Sequence, residues 1–525
     1  MEITMLDSVV SATALAVAAT LYVRLSQKER NSLGLPPGPS TVPVLGNLKL
    51  PDQPLAKSYR TLSDQVGSDI ICYKIMGVNI IVLNSLQVAN DLLEKKSAIY
   101  SDRPESGLTM VKDLMGFAWS FVLQRYGSEW RDARKAFQHE FHPQRVKAYQ
   151  RTEIRSAHTL LRALLKEPHH VLHHVRMYVG RVIMYTGYAI DVQEEGDPWL
   201  ERAEFTAEGS NSAFNAGAWA VDIIPALRHL PVWFPGAEFH RFAAKYRPAV
   251  MEMLHKPFDL VKERMAGGGG SPDCAARSLL ENVIEGSKDP AHMELMCKSA
   301  LGSMYGAGTD TTTGILQTFV LAMTMHPEIQ RKAQDSIDRV CKGRLPDFSD
   351  YDHLPYVHAI IRECLRWNPV IPLDLPHRVM QDDVYNGYFI PEGSVVVANC
   401  WAILHDPVAY PNPEAFDPER FLMTTATGET VLDPSVRDPA VAAFGFGRRI
   451  CPGRFMAYDA MWAAVANILA ALSIDQVKDA QGTPVVPEGE MAYVFTCHPK
   501  PFPCEVRPRS QEHITLIQSA AEHDA

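Results

Sequence analysis

At 525 residues the chain exceeds the ~50–200 residues of an ordinary domain, but large helical enzymes reach this length too, so size leaves the domain count open. Its 46% hydrophobic and 21% charged residues exclude wholesale disorder, and 51 basic against 61 acidic residues, a net charge of −10, exclude a general affinity for nucleic acid, which needs clustered positive charge. The 9 cysteines form no C-x-x-C pair and no N-x-S/T sequon is present, so neither a zinc site nor a disulfide framework is signalled, and a reducing, cytosolic setting fits.

Residues 8–23 form an uncharged Ala/Val-rich run, which as a helix spans roughly 24 Å at ~1.5 Å per residue, close to a bilayer's hydrocarbon core. Arg24, Lys28 and Arg30 follow it, whereas only Glu2 and Asp7 precede it. This asymmetry predicts an uncleaved anchor over residues 1–30, single-pass in the endoplasmic reticulum membrane, with everything downstream cytosolic. A cleaved signal peptide is the rival reading, and it lacks the basic leader. Residues 31–50, with Pro36-Pro37-Gly38-Pro39, read as a stiff extended linker. Residues 69–76 and 78–84 are β-rich about Gly77 and predict a hairpin.

From there to about Asn368 the periodicity is helical, broken by Gly267–Gly270. Trp130 and Arg134 lie one turn apart. Residues 292–325 read as one long helix, although Gly306, Gly308 and four threonines in its interior oppose helix formation at ~1 kcal/mol per Gly. Such violations often mark function. A kink there would open space while Asp310 and Thr311 supply a proton path; the bland alternative is a packing notch. Glu363 and Arg366 share a helix face at i, i+3, a spacing that by itself is nearly uninformative. Residues 374–399 return to short strands, and residues 454–472 form an apolar helix. The whole is mainly α with minor β sheets, an α+β protein with residues 51–510 as its catalytic body and residues 511–525 as a C-terminal tail.

Immediately before the apolar helix stands Phe444-Gly445-Phe446-Gly447-Arg448-Arg449-Ile450-Cys451-Pro452-Gly453. Glycines let backbone pass close to a flat cofactor. A cysteine at a helix N-terminus has its thiolate favoured by the helix dipole and free amides, which makes a good metal ligand. A lone cysteine is more often a small buried hydrophobe, a reading that suits the other eight.

The spacing F-x-x-G-x-R-x-C-x-G resembles the cytochrome P450 superfamily, and the resemblance extends from Pro36 to about Pro508, most closely to fungal microsomal members. It implies haem b (iron protoporphyrin IX) ligated by Cys451, with Phe444, Gly447 and Gly453 shaping the loop. It further implies propionate contacts from Trp130, Arg134, Arg378 and Arg449, with His377 less certain, and proton delivery by Asp310 and Thr311. Pro418-Glu419-Arg420-Phe421 resembles the segment that adds Arg420 to Glu363 and Arg366 in a buried structural network.

The implied reaction inserts one oxygen atom of O2 into a lipophilic small molecule, with electrons from NADPH through NADPH-cytochrome P450 reductase. Arg131, Lys135, Arg448 and Arg454 are candidates for that partner's docking patch. Segments expected to face substrate are residues 106–122, 205–234, the helix before Thr311, 370–375 and 492–497. A terpenoid is the first expectation and a polyketide-derived or xenobiotic aromatic the second. A haem-thiolate isomerase or dehydratase, or a non-catalytic haem sensor, are the other classes weighed; the intact Asp310-Thr311 pair speaks against both.

Overall fold

The computed structural model describes residues 33–42, 46–47, 51–105, 107–214, 218–267 and 272–524. The expected anchor at residues 8–23 and the break at Gly268 to Gly270 lie outside them. Among the described residues no helix is long and apolar enough to cross a membrane.

After helix α1 (Leu55–Val66), strands β1 (Ile70–Ile75) and β2 (Val78–Leu83) form the expected hairpin, pairing Ile75 with Val78. Met76 and Gly77 turn it with φ of 45° and 85°, the double positive φ that a two-residue hairpin turn requires. The proline-rich segment Pro36–Pro39 lies outside any helix or strand, and it is docked: Cys72 donates its amide to the Pro37 carbonyl at 2.9 Å. Later in the chain β3 (His377–Arg378) and β4 (Val395–Ala398) join this sheet in the order β1-β2-β4-β3, with β2 and β4 parallel.

The body is helical: α2 (Ser128–Phe141), α3 (Gln150–Lys166), α4 (Val171–Tyr188), α5 (Pro198–Phe214), α6 (Glu238–Ala266), α7 (Pro290–Met325), α8 (Pro327–Cys341), α9 (Pro355–Trp367) and α10 (Arg454–Ala471). Helices α7 and α10 are apolar on nearly every side, as a helix must be when others surround it, and their buried residues make the centre of the main core. The hairpin of β6 (Met491–Tyr493) and β7 (Cys497–Pro499) packs on α7, while β5 (Leu472–Asp475) pairs with β8 (Glu505–Pro508). Residues 511–524, read in the sequence as a tail, form helix α11 (Gln511–Asp524) against α3, because Ile517 is buried in the main core.

Helix α7 runs unbroken for 36 residues, through the turn where the sequence suggested a kink. Its threonines turn their hydroxyls back onto it, Thr309 to Tyr305 O at 2.8 Å, Thr311 to Ala307 O at 2.9 Å and Thr313 to Thr309 O at 2.6 Å. Space beside it comes from missing side chains instead. A Cβ on Gly308 would stand 3.0 Å from the Ile183 side chain of α4, so the glycine is also a packing notch.

One core residue works against the fold. Glu153 of α3 is fully buried facing α10, neither carboxyl oxygen has a partner among the described residues, and burial followed by Asp459 raises its pKa well above the ordinary value. A raised carboxyl pKa means stability is lost as pH climbs above the unfolded value and through the folded one. Glu153→Leu is therefore expected to stabilise the protein by about 1–3 kcal/mol at neutral pH. The gain should shrink as pH falls toward ~4.5, where the unfolded carboxyl is protonated as well. Urea midpoints at two pH values test this.

Candidate active site

The loop before α10 is shaped by close backbone approaches. Cys451 donates its amide to the Phe444 carbonyl at 2.7 Å, closing the loop on itself. Gly447 has φ +54°, and a Cβ there would meet the Leu93 carbonyl at 2.1 Å, so only glycine fits. Its amide donates to Glu94 at 2.8 Å. Gly453 caps α10. Burial pushes the Cys451 thiol up, opposed by the Gly453 amide, the charges of Arg134 and Arg454, and the Arg454 amide. The local dipoles and charges thus favour a thiolate; a cation at the sulfur would complete the deprotonation.

Cys451 and Phe444 wall a cavity enclosing about 1560 Å³ of empty space, its mouth included, whose lining is predominantly apolar. Its other walls hold Ala307, Gly308, Thr311 and Thr312 of α7, Val182 and Ile183 of α4, and Val370 and Leu375 after α9. Thr311 is therefore where the sequence put it, facing the cavity. Asp310 is not in the wall: its carboxylate accepts from Thr496 at 2.8 Å and from His498 at 3.3 Å. Burial opposes its ionisation most, but bonds from His498, Thr496 and Asn211 hold the net pKa below the ordinary range. The acid and the alcohol are thus adjacent in sequence and face different surroundings.

Of the segments expected to face substrate, residues 106–122 contribute Phe121 and Val122 and residues 370–375 contribute Val370, Ile371, Asp374 and Leu375. Among the described residues, none of 205–234 and none of 492–497 lines this cavity. Phe205, Phe214, Trp219 and Val221 instead join Met110, Val111 and Met115 in a separate apolar cluster, which touches the cavity wall through Leu375.

Three guanidiniums converge on the cavity. Arg134 of α2 is buried and makes no hydrogen bond or ion pair among the described residues. Arg449 is held by the carbonyls of Ser101 at 2.7 Å and Gln124 at 2.8 Å, stacked 4.6 Å from the Trp130 ring centroid. Arg103 donates to the carbonyls of Val122, Leu375 and Pro376. Burial pushes all three down, to about 10 for Arg103 and Arg134 and about 8 for Arg449. No carboxylate forms a salt bridge with any of them among the described residues, and this positive charge, only partly offset by nearby Asp102 and Asp374, beside an apolar space suits a macrocycle carrying two carboxylates.

Arg378 is elsewhere: it pairs with Asp102 at 3.2 Å and is not in the wall. His377 is buried between the Tyr100 carbonyl and Asp374, also outside the wall. Arg103, which the sequence did not single out, lines the cavity. Nothing periodic marks an arginine between Asp102 and Pro104, so sequence reasoning missed it.

Glu363 and Arg366 meet as expected, with bonds of 2.7 and 2.8 Å and both side chains at 0% exposure. Arg420 joins at 3.3 Å, and the Asp417 amide donates to Glu363 at 2.8 Å. Arg366 also donates to the carbonyls of Pro413 and Ala415, so the network ties α9 to the loop ahead of the Cys451 segment.

A cysteine loop at a helix N-terminus, facing a glycine-threonine helix across an apolar cavity edged by only partly neutralised arginines, defines a haem-thiolate protein. The Cytochrome P450 family model matches residues 36–506, and the chain belongs to that family. It is 40% identical over 506 residues to cytochrome P450 monooxygenase 98 of Postia placenta, covering 96% of this chain and 95% of that one. It is 37% identical to cytochrome P450 monooxygenase ple1 of Rhodocybe pseudopiperita, over 96% and 95% of the two chains. To the tryptamine 4-monooxygenase of Psilocybe cyanescens it is 36% identical, over 97% and 99%. The protein is a cytochrome P450 monooxygenase; its cofactor is haem b, reduced by NADPH through a separate reductase.

Proposed function

We propose that this monooxygenase hydroxylates a lipophilic small molecule of fungal secondary metabolism, a terpenoid in the first instance. The observation that carries the reading is that Cys451 and Thr311 wall the same apolar cavity. A polyketide-derived or other aromatic substrate is the second reading, favoured by the relative named for the aromatic amine tryptamine.

The chemistry that haem would supply when bound is the reductive activation of O2, with one oxygen atom going to substrate and the other to water. Cys451 would hold the iron, and Arg103, Arg134 and Arg449 would hold the propionates, with Trp130 stacked behind Arg449. Gly308 and Ala307 keep that face of α7 low, leaving room for dioxygen beside the Thr311 hydroxyl. Thr311 Oγ1 donates to Ala307 O at rest, which leaves its lone pairs open to accept from a proton donor; once the hydroxyl turns off Ala307 O, it can release its own proton into the cavity as it takes up the donor's.

Thr311→Ala is expected to lower product formed per NADPH consumed by roughly tenfold or more, with the missing electrons appearing as hydrogen peroxide, since loss of a positioned proton donor costs about 10²–10⁴ in rate. Unchanged coupling would remove Thr311 from the path. Expression of the full chain with a reductase under ¹⁸O2, with mass spectrometry of terpenoid and aromatic candidates, tests the substrate readings through a gain of one labelled oxygen. No labelled product from any lipophilic class would overturn them.

Arg131 and Arg448 flank Tyr126, with guanidinium carbons 5.7 and 5.4 Å from its ring centroid, and Lys135 is exposed one turn beyond Arg131. This cluster is the proposed landing site for the reductase, whose acidic surface it would steer. Residues 8–23 are proposed to anchor the body on the cytosolic face of the endoplasmic reticulum, as their charge asymmetry suggests.

A further inference from the structure

We propose that Ser303, with Ser120 behind it, is a specificity-determining anchor for a neutral oxygen already carried by the substrate, an alcohol or a ketone, an inference that rests on the reading of the cavity as the site of a lipophilic small molecule. Ser303, Ala307, Thr311 and Ile315 lie four residues apart along α7, which puts them together on the face that walls the cavity. Thr309, Thr311 and Thr313 turn their hydroxyls back onto the helix, whereas Ser303 turns outward: its Oγ lies 2.9 Å from Ser120 Oγ.

Both serines are buried. Two hydroxyls carry two hydrogens, and their mutual contact uses one. The other hydrogen has no acceptor among the described residues, a costly state for a buried donor unless a ligand supplies one. Ser303 lines the cavity and Ser120 does not. The arrangement that leaves nothing unmet therefore has Ser120 donate to Ser303 and Ser303 donate into the cavity.

The anchor stands on a fixed wall. Ser299, one turn before Ser303, donates to the Trp119 carbonyl at 2.5 Å, while Arg449 donates to the Phe121 carbonyl at 3.3 Å and Arg103 to the Val122 carbonyl at 3.0 Å. With the Ser120 contact, each of residues 119–122 is pinned. A Cβ on Gly302 would stand 2.9 Å from the Trp119 ring, so the missing side chain lets this segment lie close against α7. A hydroxyl held in this way is preorganised to orient a ligand.

The surplus hydrogen selects the partner. An alcohol or ketone oxygen accepts it. An ammonium group has only donors and leaves it unmet, and a carboxylate would bring a full charge to one hydroxyl in an apolar wall. Ser303 and Thr311 are eight residues apart, roughly 12 Å along the helix at ~1.5 Å per residue. The enzyme thus acts on a skeleton that already bears oxygen and places the new atom away from the existing one.

The test titrates the full-length holoenzyme with two matched pairs of probes, the terpenoid alcohol cedrol with its hydrocarbon cedrane and phenanthrol with phenanthrene, following the haem Soret band. Ser303→Ala should weaken binding of the oxygenated member of a pair roughly tenfold and leave its hydrocarbon unchanged, the scale of one buried hydrogen bond. Ser120→Ala loosens the segment but keeps the cavity hydroxyl, so it should retain most of the affinity for the alcohol. Under ¹⁸O2 with reductase, the labelled oxygen should enter wild-type product remote from the hydroxyl and scatter in Ser303→Ala. Equal losses for alcohol and hydrocarbon, equal losses in the two variants, or no loss in Ser303→Ala would each overturn the anchor while leaving the lipophilic reading intact. If none of the four compounds shifts the wild-type spectrum, the lipophilic reading fails and the anchor with it.

Discussion

Cys451→Ala is expected to abolish the thiolate-type carbon monoxide spectrum of the reduced protein and all oxygen-inserting activity. Cys400→Ala is expected to leave the spectrum in place. Both sulfurs touch the cavity, so proximity does not separate them. Their surroundings do. Cys400 is fully enclosed, and burial followed by the neighbouring charge of Asp374 raises its pKa well above the ordinary thiol value. Burial raises Cys451 as well, but there it is opposed by the Gly453 and Arg454 amides at the N-terminus of α10 and by the charges of Arg134 and Arg454, all of which favour the thiolate. Retention of the spectrum in Cys451→Ala, or its loss in Cys400→Ala, would move the ligand to the other sulfur.

Glu363→Ala is expected to cost about 3–5 kcal/mol of stability, because it leaves the Arg366 guanidinium buried without its counter-charge. Arg366 has 0% exposure and cannot reach water, and Arg420 and the Asp417 amide lose their shared acceptor at the same time. Burial itself raises the pKa of Glu363, so the pair does not owe its place to a large net gain in stability. What it secures is geometry: Arg366 fastens the chain at Pro413 and Ala415, upstream of the Cys451 loop. Haem content of the purified variant should therefore fall with the urea midpoint. Substituting both partners by apolar residues of similar volume should recover the midpoint more than the haem content. A variant Glu363→Ala with an unchanged midpoint would show that the network contributes nothing.

Much of the site was legible because its chemistry is written over short stretches of chain. The Cys451 loop, the threonine-rich turn of α7, the Trp130-Arg134 pair and the Glu363-Arg366 pair are each set by residues within about one or two helical turns, where spacing decides which side chains share a face. The β1–β2 hairpin was legible for the same reason. The unbroken course of α7 was not, because packing from outside, such as α4 against Gly308, compensates a locally poor sequence.

By itself, then, the amino-acid order determined the helical class, the cysteine and the helix that faces it, since local spacing and capping follow from backbone geometry alone. Which arginines border the cavity was decided only by tertiary structure: the resemblance pointed to Arg378 and no spacing marked Arg103, yet Arg378 pairs with the buried Asp102 outside the wall and Arg103 lines it. Likewise, that Asp310 turns from the cavity to His498 depends on residues 188 positions apart, brought together by how a C-terminal hairpin packs on a central helix. Contacts of that kind arise from the summed burial of many side chains, which no short window of sequence contains.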